Sequence, residues 1–182
     1  MENYREIKKN IYARLYKDGV SKGISKPAKE YGFEDLVIVP YVTVKIDSDE
    51  EFASAPVTKE MVKRWGVTED DVFDDAIDNI DVQIKGMSEL LFGMSLPDDP
   101  MTVITNTAMF YGAAAVLKAK RELQEKYPNG YVILPSSVHE VLVVEAGTSN
   151  LEELKSMVET INADMVSENN KLTDNAYLFE AA

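Results

Sequence analysis

Between Thr68 and Asp81 the sequence reads TEDDVFDDAIDNID, which holds seven carboxylates and no basic residue. On a helix turning about 100° per residue, Asp71, Asp74, Asp75, Asp78 and Asp81 share one face. Val72, Phe73, Ala76, Ile77 and Ile80 share the opposite face and form a candidate core contact. The local helix physics accounts for part of the acidity. Glu69, Asp70 and Asp71 fall in the first turn, where the helix dipole favours anions, and Thr68 with Asp71 forms a capping box with Asp in the usual Glu position. The remaining aspartates repel one another at i, i+3 and i+4, at a few tenths of a kcal/mol per pair. Asp is also a poorer interior helix former than Glu. A face serving solubility alone would more naturally mix Glu with Lys.

The chemistry open to such a stripe is charge pairing with arginines that otherwise hold nucleic acid. From Asp71 to Asp81 the axis rises roughly 15 Å, which gives one carboxylate per ~3–4 Å. One strand of a duplex presents a phosphate every ~3.4 Å. The alternative is a solvated face without a partner. Asp47, Asp49, Glu50 and Glu51 form a second acidic patch in the loop sequence DSDEEFASA. It lacks the Gly and terminal Glu of a calcium-binding loop.

Catalytic chemistry has fewer candidates. The one histidine, His139, lies in LPSSVHEVLVV beside Ser136, Ser137 and Glu140. No G-x-S-x-G elbow surrounds these serines. On a strand, His139 and Glu140 would face opposite sides, and serines after a proline are usual turn formers. There is no cysteine, so disulfides and thiolate metal sites are excluded. No catalytic residue, metal or cofactor is expected.

The elements that must position these residues follow from periodicity. Tyr4, Ile7, Ile11 and Leu15 predict a first helix over Asn3–Lys17, stopped at Asp18-Gly19. DLVIVPYVTVKID predicts a long strand, at an edge or bulged because Pro40 lies inside it. Pro56 is expected to open a short helix that ends at Trp65-Gly66, and Thr68 to cap the acidic helix. GMSELLFGMSLPDDP reads as a partial helix and turn, MTVIT as a strand, and TAMFYGAAAVLKAKRELQEKY as one helix. YVILP and HEVLVVE read as a hairpin. LEELKSMVETINADMV, capped by Ser149 or Asn150, is a helix, and AYLFE a closing strand. The order predicts one α+β domain over residues 1–182, with a mostly antiparallel sheet of about five strands and about five helices.

Charge divides this domain. The chain has 182 residues and a net charge of −13. Residues 1–33 carry +4, residues 34–101 carry −12 and residues 102–182 carry −5. A basic N-terminal helix and connector therefore precede an acidic body. Lys8, Lys9, Arg14, Lys17, Lys22, Lys26 and Lys29 supply the basic character. They either neutralise the acidic body through internal ion pairs or contact nucleic acid. The overall field disfavours non-specific nucleic-acid and anionic-membrane binding and favours basic partners. The start of the chain lacks a signal-peptide apolar region, and no window approaches the ~20 apolar residues of a membrane span. A cytoplasmic location is expected.

Several segments carry a family likeness. PVTKEMVKRWGV with EDDVFDDA, VITNTAMFYGAAAVL, YVILPSSVHEVLVV, LEELKSMVETINADMV and LTDNAYLF resemble an uncharacterised domain-of-unknown-function family of gut Clostridia and their mobile elements. The likeness runs from about Tyr31 to Phe179, with Trp65-Gly66 and LPSSVHEV as its most distinctive pieces. Within that family the chain is similar to type II-A anti-CRISPR proteins, which inhibit the RNA-guided Cas nuclease. The resemblance implies a non-enzymatic protein of phage or mobile-element origin, acting in the bacterial cytosol on a type II Cas nuclease. Such nucleases hold nucleic acid in basic channels and read a short duplex motif through arginines. Asp71, Asp74, Asp75, Asp78 and Asp81 would then be the partner-binding residues, with Asp47, Asp49, Glu50 and Glu51 as the secondary patch. Lys8, Lys9, Arg14, Lys22, Lys26 and Lys29 would be nucleic-acid contacts in a ternary complex. The alternative is an interaction domain of a mobile element or housekeeping system with no nuclease target.

Overall fold

Ile11, Ala13 and Leu15 are buried while Tyr12 is exposed and Arg14 half-buried between them, so a repeat of two governs Ile11 to Leu15. The computed structural model describes residues 3–45, 52–97 and 99–181. In it, the helix expected over Asn3–Lys17 is replaced by one helical turn, α1 (Tyr4–Ile7), a 3-10 turn (Lys8–Asn10) and strand β1 (Ile11–Lys17). A spacing of four residues between Ile11 and Leu15 satisfies both periods. The choice is made by an antiparallel partner, β3 (Leu36–Lys45), which pairs with all seven residues of β1.

The β3 strand is interior to its sheet. It has β1 on one side and shares its other side between β2 (Lys26–Pro27) and β4 (Phe52–Pro56). The expectation of an edge or bulge at Pro40 is corrected accordingly. Pro40 pairs with Ala13 on the β1 side, and its carbonyl accepts Val57 N–H on the other. Its missing donor therefore faces the gap between β2 and β4, where no ladder bond is lost. Pro56 ends β4 and does not open a helix. Helix α2 (Lys59–Trp65) begins after Thr58, whose side chain accepts Met61 N–H, and ends at Gly66 in the left-handed conformation. Thr68 then caps α3 (Glu69–Asp78) with both bonds of the capping box present. Val72, Phe73, Ala76 and Ile80 are buried, as the amphipathic pattern requires.

A second antiparallel sheet has the order β5-β6-β8-β7-β9, formed by Gln83–Gly86, Thr102–Thr105, Val141–Glu145, Gly130–Leu134 and Tyr177–Glu180. Helix α4 (Met87–Phe92) follows β5. The long helix expected from Thr107 to Tyr127 is absent. Its place is taken by a turn, a buried 3-10 segment (Gly112–Lys118) and α5 (Lys120–Lys126). Helix α6 (Leu151–Met165), capped by Asn150, packs Leu154 and Val158 against Val132, Leu134 and Val144. The fold is thus one α+β domain, with its strands divided between two sheets of four and five. One hydrophobic cluster, from Ile11 through Ile104 to Leu172, runs through both.

Asp35 ties the two sheets together. Sitting just before β3, it accepts hydrogen bonds from Thr173 Oγ1 (2.7 Å), Asn175 Nδ2 (2.9 Å) and the Tyr177 hydroxyl, which belong to the approach to β9 and to β9 itself. Phe33 packs edge-on against Tyr177 beside them. Burial by itself raises the pKa of Asp35, but the bonds from Tyr177, Thr173 and Asn175 prevail and leave it lowered. A lowered folded-state pKa stabilises the fold fully above the unfolded Asp value of ~4 and is lost as pH falls through the folded value. Asp35→Asn should therefore lower the melting temperature at pH 7 and flatten its decline below pH ~4. Hydrogen bonds to a buried charge contribute ~1.5–3 kcal/mol each, and partial exposure reduces the expected total loss to about 2 kcal/mol. Thermal melts of both proteins across pH check this, and parallel acid limbs would remove Asp35 as the tie.

Candidate functional site

The acidic stripe is divided by its own contacts. Asp71 closes the capping box, with its carboxylate accepting Thr68 N–H at 2.9 Å and Thr68 O–H at 2.6 Å. These bonds hold its pKa below the usual carboxylate range. Asp75 is half-buried, and accepts the Tyr4 hydroxyl and the Lys8 ammonium, each at 2.8 Å. Burial first, then this bond and the Asp75 charge, push the Tyr4 phenol well above its ordinary value. Asp81 is not on the helix. The helix ends at its C-cap Asn79, whose side chain donates to the carbonyls of Lys8 (2.6 Å) and Ile11 (2.8 Å), and Asp81 beyond it accepts Thr107 N–H (2.8 Å) and its hydroxyl. Asp70, Asp74 and Asp78 are exposed and follow one another at i+4 along α3; their carboxylates accept no hydrogen bond among the described residues, while the backbone carbonyl of Asp78 accepts the Lys118 ammonium at 3.0 Å. They are the part of the stripe open to a partner. Asp47, Asp49, Glu50 and Glu51 lie outside the described residues.

The basic segment lies partly beside this helix. Lys8 pairs with Asp75 (2.8 Å), Lys26 with Glu30 (3.1 Å) and Lys29 with Glu34 (3.3 Å). The Lys26 ammonium has a raised pKa, chiefly from the Glu30 bond, with a contribution from the Asp70 charge. Lys9 and Lys22 are exposed and make no ion pair among the described residues. Arg14 is separate in kind. Its guanidinium lies between two tyrosine rings, 4.0 Å from the centroid of Tyr41 and 3.8 Å from that of Tyr111, and donates to Ser54 Oγ at 2.9 Å.

Tyr111 reaches Arg14 because of an unusual turn. Asn106 accepts Phe110 N–H and donates to Phe110 carbonyl, and both Met109 and Tyr111 have left-handed backbones, with φ of 52° and 51°. Non-glycine residues in that region store roughly 1–2 kcal/mol each and persist only where surrounding contacts enforce them. Here His139 is the enforcer: its Nδ1 accepts Tyr111 N–H at 3.1 Å, and its ring stacks on Phe110. This turn walls a cavity of about 500 Å³ that Arg14, Ser54 and Asp81 also line.

The comparison with protein families bears on the whole chain: a model described as a family of unknown function, DUF5688, matches residues 1–181. The chain belongs to the DUF5688 family. No curated protein and no solved structure matches it. In this DUF5688 chain the serine–histidine grouping serves the backbone. Ser137 Oγ accepts His139 N–H at 3.0 Å, and the imidazole is engaged by Tyr111. Among the described residues no cluster of three or more His, Asp or Glu could hold a metal, and no helix is long and apolar enough to cross a membrane.

The cavity and its tyrosine-clasped Arg14 were missed by sequence reasoning, which treated Arg14 as one of several surface cations. The available signal was the aromatic run Phe110-Tyr111 before Gly112, inside a segment otherwise rich in alanine.

Proposed function

We propose that this DUF5688 chain is a binding protein, not a catalyst, and that the exposed carboxylates of α3 pair with arginines of a basic partner. The supporting observation is the row Asp70, Asp74, Asp78, which repeats every helical turn with no basic residue on its own helix. Its carboxylates face water, while Asp71, Asp75 and Asp81 are used by the fold. The resemblance to type II-A anti-CRISPR proteins designates the partner: a guide-loaded type II Cas nuclease in the bacterial cytosol, whose DNA-reading arginines the row would occupy. Origin in a clostridial mobile element is part of the same proposal. Lys9 and Lys22, unpaired among the described residues, are the cations left to touch DNA or guide RNA in a ternary complex.

The variant Asp70→Asn/Asp74→Asn/Asp78→Asn tests this. Asp75 is excluded because its loss would strip Lys8 and Tyr4 of their partner. Removing Asp70 from the first turn costs a few tenths of a kcal/mol, which relief of repulsion and removal of an anion near the helix C-terminus offset. The melting temperature should therefore stay nearly constant. Desolvated charge pairs across an interface couple by ~1.5–7 kcal/mol, so binding to the guide-loaded nuclease should fall at least about tenfold and cleavage inhibition with it. Inhibition by the parent should weaken as salt rises. Parent protein that neither binds nor inhibits the nuclease would refute the nuclease as partner. Unchanged inhibition by the variant would remove the α3 row as the surface.

A further inference from the structure

Arg14 is a half-buried cation with no carboxylate partner among the described residues. Such a charge is costly to hold unless something compensates it. The faces of Tyr41 and Tyr111, both within 4.0 Å of the guanidinium carbon, supply part of that compensation through cation–π attraction. The edge of the group is a different matter. A guanidinium has five N–H donors in its plane; one is drawn to Ser54 Oγ and the Tyr16 hydroxyl lies within hydrogen-bonding reach of the group, so the remaining donors on the edge have no partner among the described residues. Burial, followed by hydrogen bonding with Tyr41, outweighs the lowering effect of Arg14 and leaves the Tyr16 phenol raised, so this hydroxyl stays neutral beside the cation. The stacked rings leave Arg14 little rotational freedom, and the planar edge is the geometry that receives an oxyanion through two parallel hydrogen bonds.

The surrounding cavity fits a small molecule. Its volume of about 500 Å³ lies within the ~300–1,000 Å³ typical of small-ligand sites. Two of its walls, Tyr12 and Phe110, are aromatic and stay 41% and 59% exposed, although the adjoining turn is held in a strained conformation that keeps Phe110 in place. The charge of the ligand is limited from the other side. Asp81 lines the same cavity, and the protein as a whole carries −13. A dianionic phosphate meets that repulsion twice over, whereas a single carboxylate matches the one cation present.

We propose that this cavity binds a small organic monocarboxylate. Its carboxylate forks onto the edge of Arg14, and its apolar or aromatic body lies against Phe110 and Tyr12. The site is separate from the α3 row, and its occupancy does not depend on a nuclease partner.

Phenylacetate is a suitable probe, with phenylacetamide as the neutral isostere and phenyl phosphate as the more highly charged analogue. Titrated into the full-length isotopically labelled protein, phenylacetate should shift the Arg14 Nε–H signal and the Tyr111 and Gly112 amides saturably. The amide and the phosphate should bind at least about tenfold more weakly, the loss expected when the charge-assisted fork is absent or opposed. Arg14→Gln should weaken phenylacetate by a similar factor in protein that still melts cooperatively. The Arg14 Nε–H shift in the parent protein reports the contact even if the variant fails to fold. Absence of a saturable shift up to about 10 mM, where binding is weaker than ~3 kcal/mol, would overturn the proposal. Equal binding of phenylacetamide, tighter binding of phenyl phosphate, or unchanged affinity in folded Arg14→Gln would do so as well.

Discussion

Phe73→Ala should remove about 3–5 kcal/mol of stability, the range for deleting a buried aromatic side chain from a core. Phe73 is 4% exposed, and it lies between Val72 and Ala76 on the buried face of α3, in the cluster that also contains Ile11, Leu15, Ile38 and Trp65. Close-packed surroundings relax only partly around the vacated space, so a cavity term adds to the lost transfer energy. In a chain of this length such a loss lowers the melting temperature by roughly 6–20 °C. Ile77→Ala is the internal comparison. Ile77 is only half-buried at the margin of the same face and should cost markedly less. Chemical denaturation of the three proteins gives the ordering. A loss below about 1 kcal/mol for Phe73→Ala would mean that α3 is not held by this face.

Gly112→Ala should be comparably severe and should act on a different part of the molecule. A Cβ at Gly112 would meet Thr105 Oγ1 at less than van der Waals distance, the amide nitrogen of Asn106 at 2.6 Å and the carbonyl oxygen of His139 at 2.7 Å. Two of these atoms are backbone and cannot rotate away, so β6, the strained turn and the segment before β8 would have to separate. Overpacking usually costs ~1–3 kcal/mol, and rigid backbone neighbours place this site at about 3 kcal/mol or more. The turn that carries Phe110 and Tyr111 would move with it, so the clasp on Arg14 should loosen. Gly66→Ala provides the contrast. Its backbone is left-handed, with φ of 71°, but a Cβ there meets open space, so the conformational penalty of about 1 kcal/mol is the whole expectation. Gly112 itself is not left-handed, so a loss no larger than that at Gly66 would show that its neighbours yield to a Cβ and that close approach does not set the cost.

How much of this was legible depended on whether the deciding interaction was local. The acidic helix was readable because its signals lie within one or two turns: Thr68 and Asp71 cap it, and Val72, Phe73, Ala76 and Ile80 mark the buried face. The β7–β8 pairing was readable for a related reason, since a six-residue connection from Pro135 to Glu140 joins two apolar runs. The first seventeen residues were misread because Ile11 and Leu15 fit either period, and β3, more than twenty residues away, settles the matter. The Ala-rich segment after Gly112 has high local helix propensity, but burial of Gly112 through Leu117 on all sides and the left-handed Tyr111 break the expected helix into a turn and a 3-10 segment.

The candidate site divides in the same way. Sequence alone determined that the chain is acidic, that its negative charge concentrates on one amphipathic helix, and that an α+β fold follows, because composition and short-range periodicity are properties of the chain itself. Which carboxylates remain available was a tertiary decision. Lys8 takes up Asp75 across 67 positions of sequence, and Thr107 takes up Asp81 across 26. The clasp of Tyr41 and Tyr111 around Arg14 was equally out of reach. It joins a strand of one sheet to a strained turn beside the other, and no periodicity records which distant residues a folded chain brings within 4 Å.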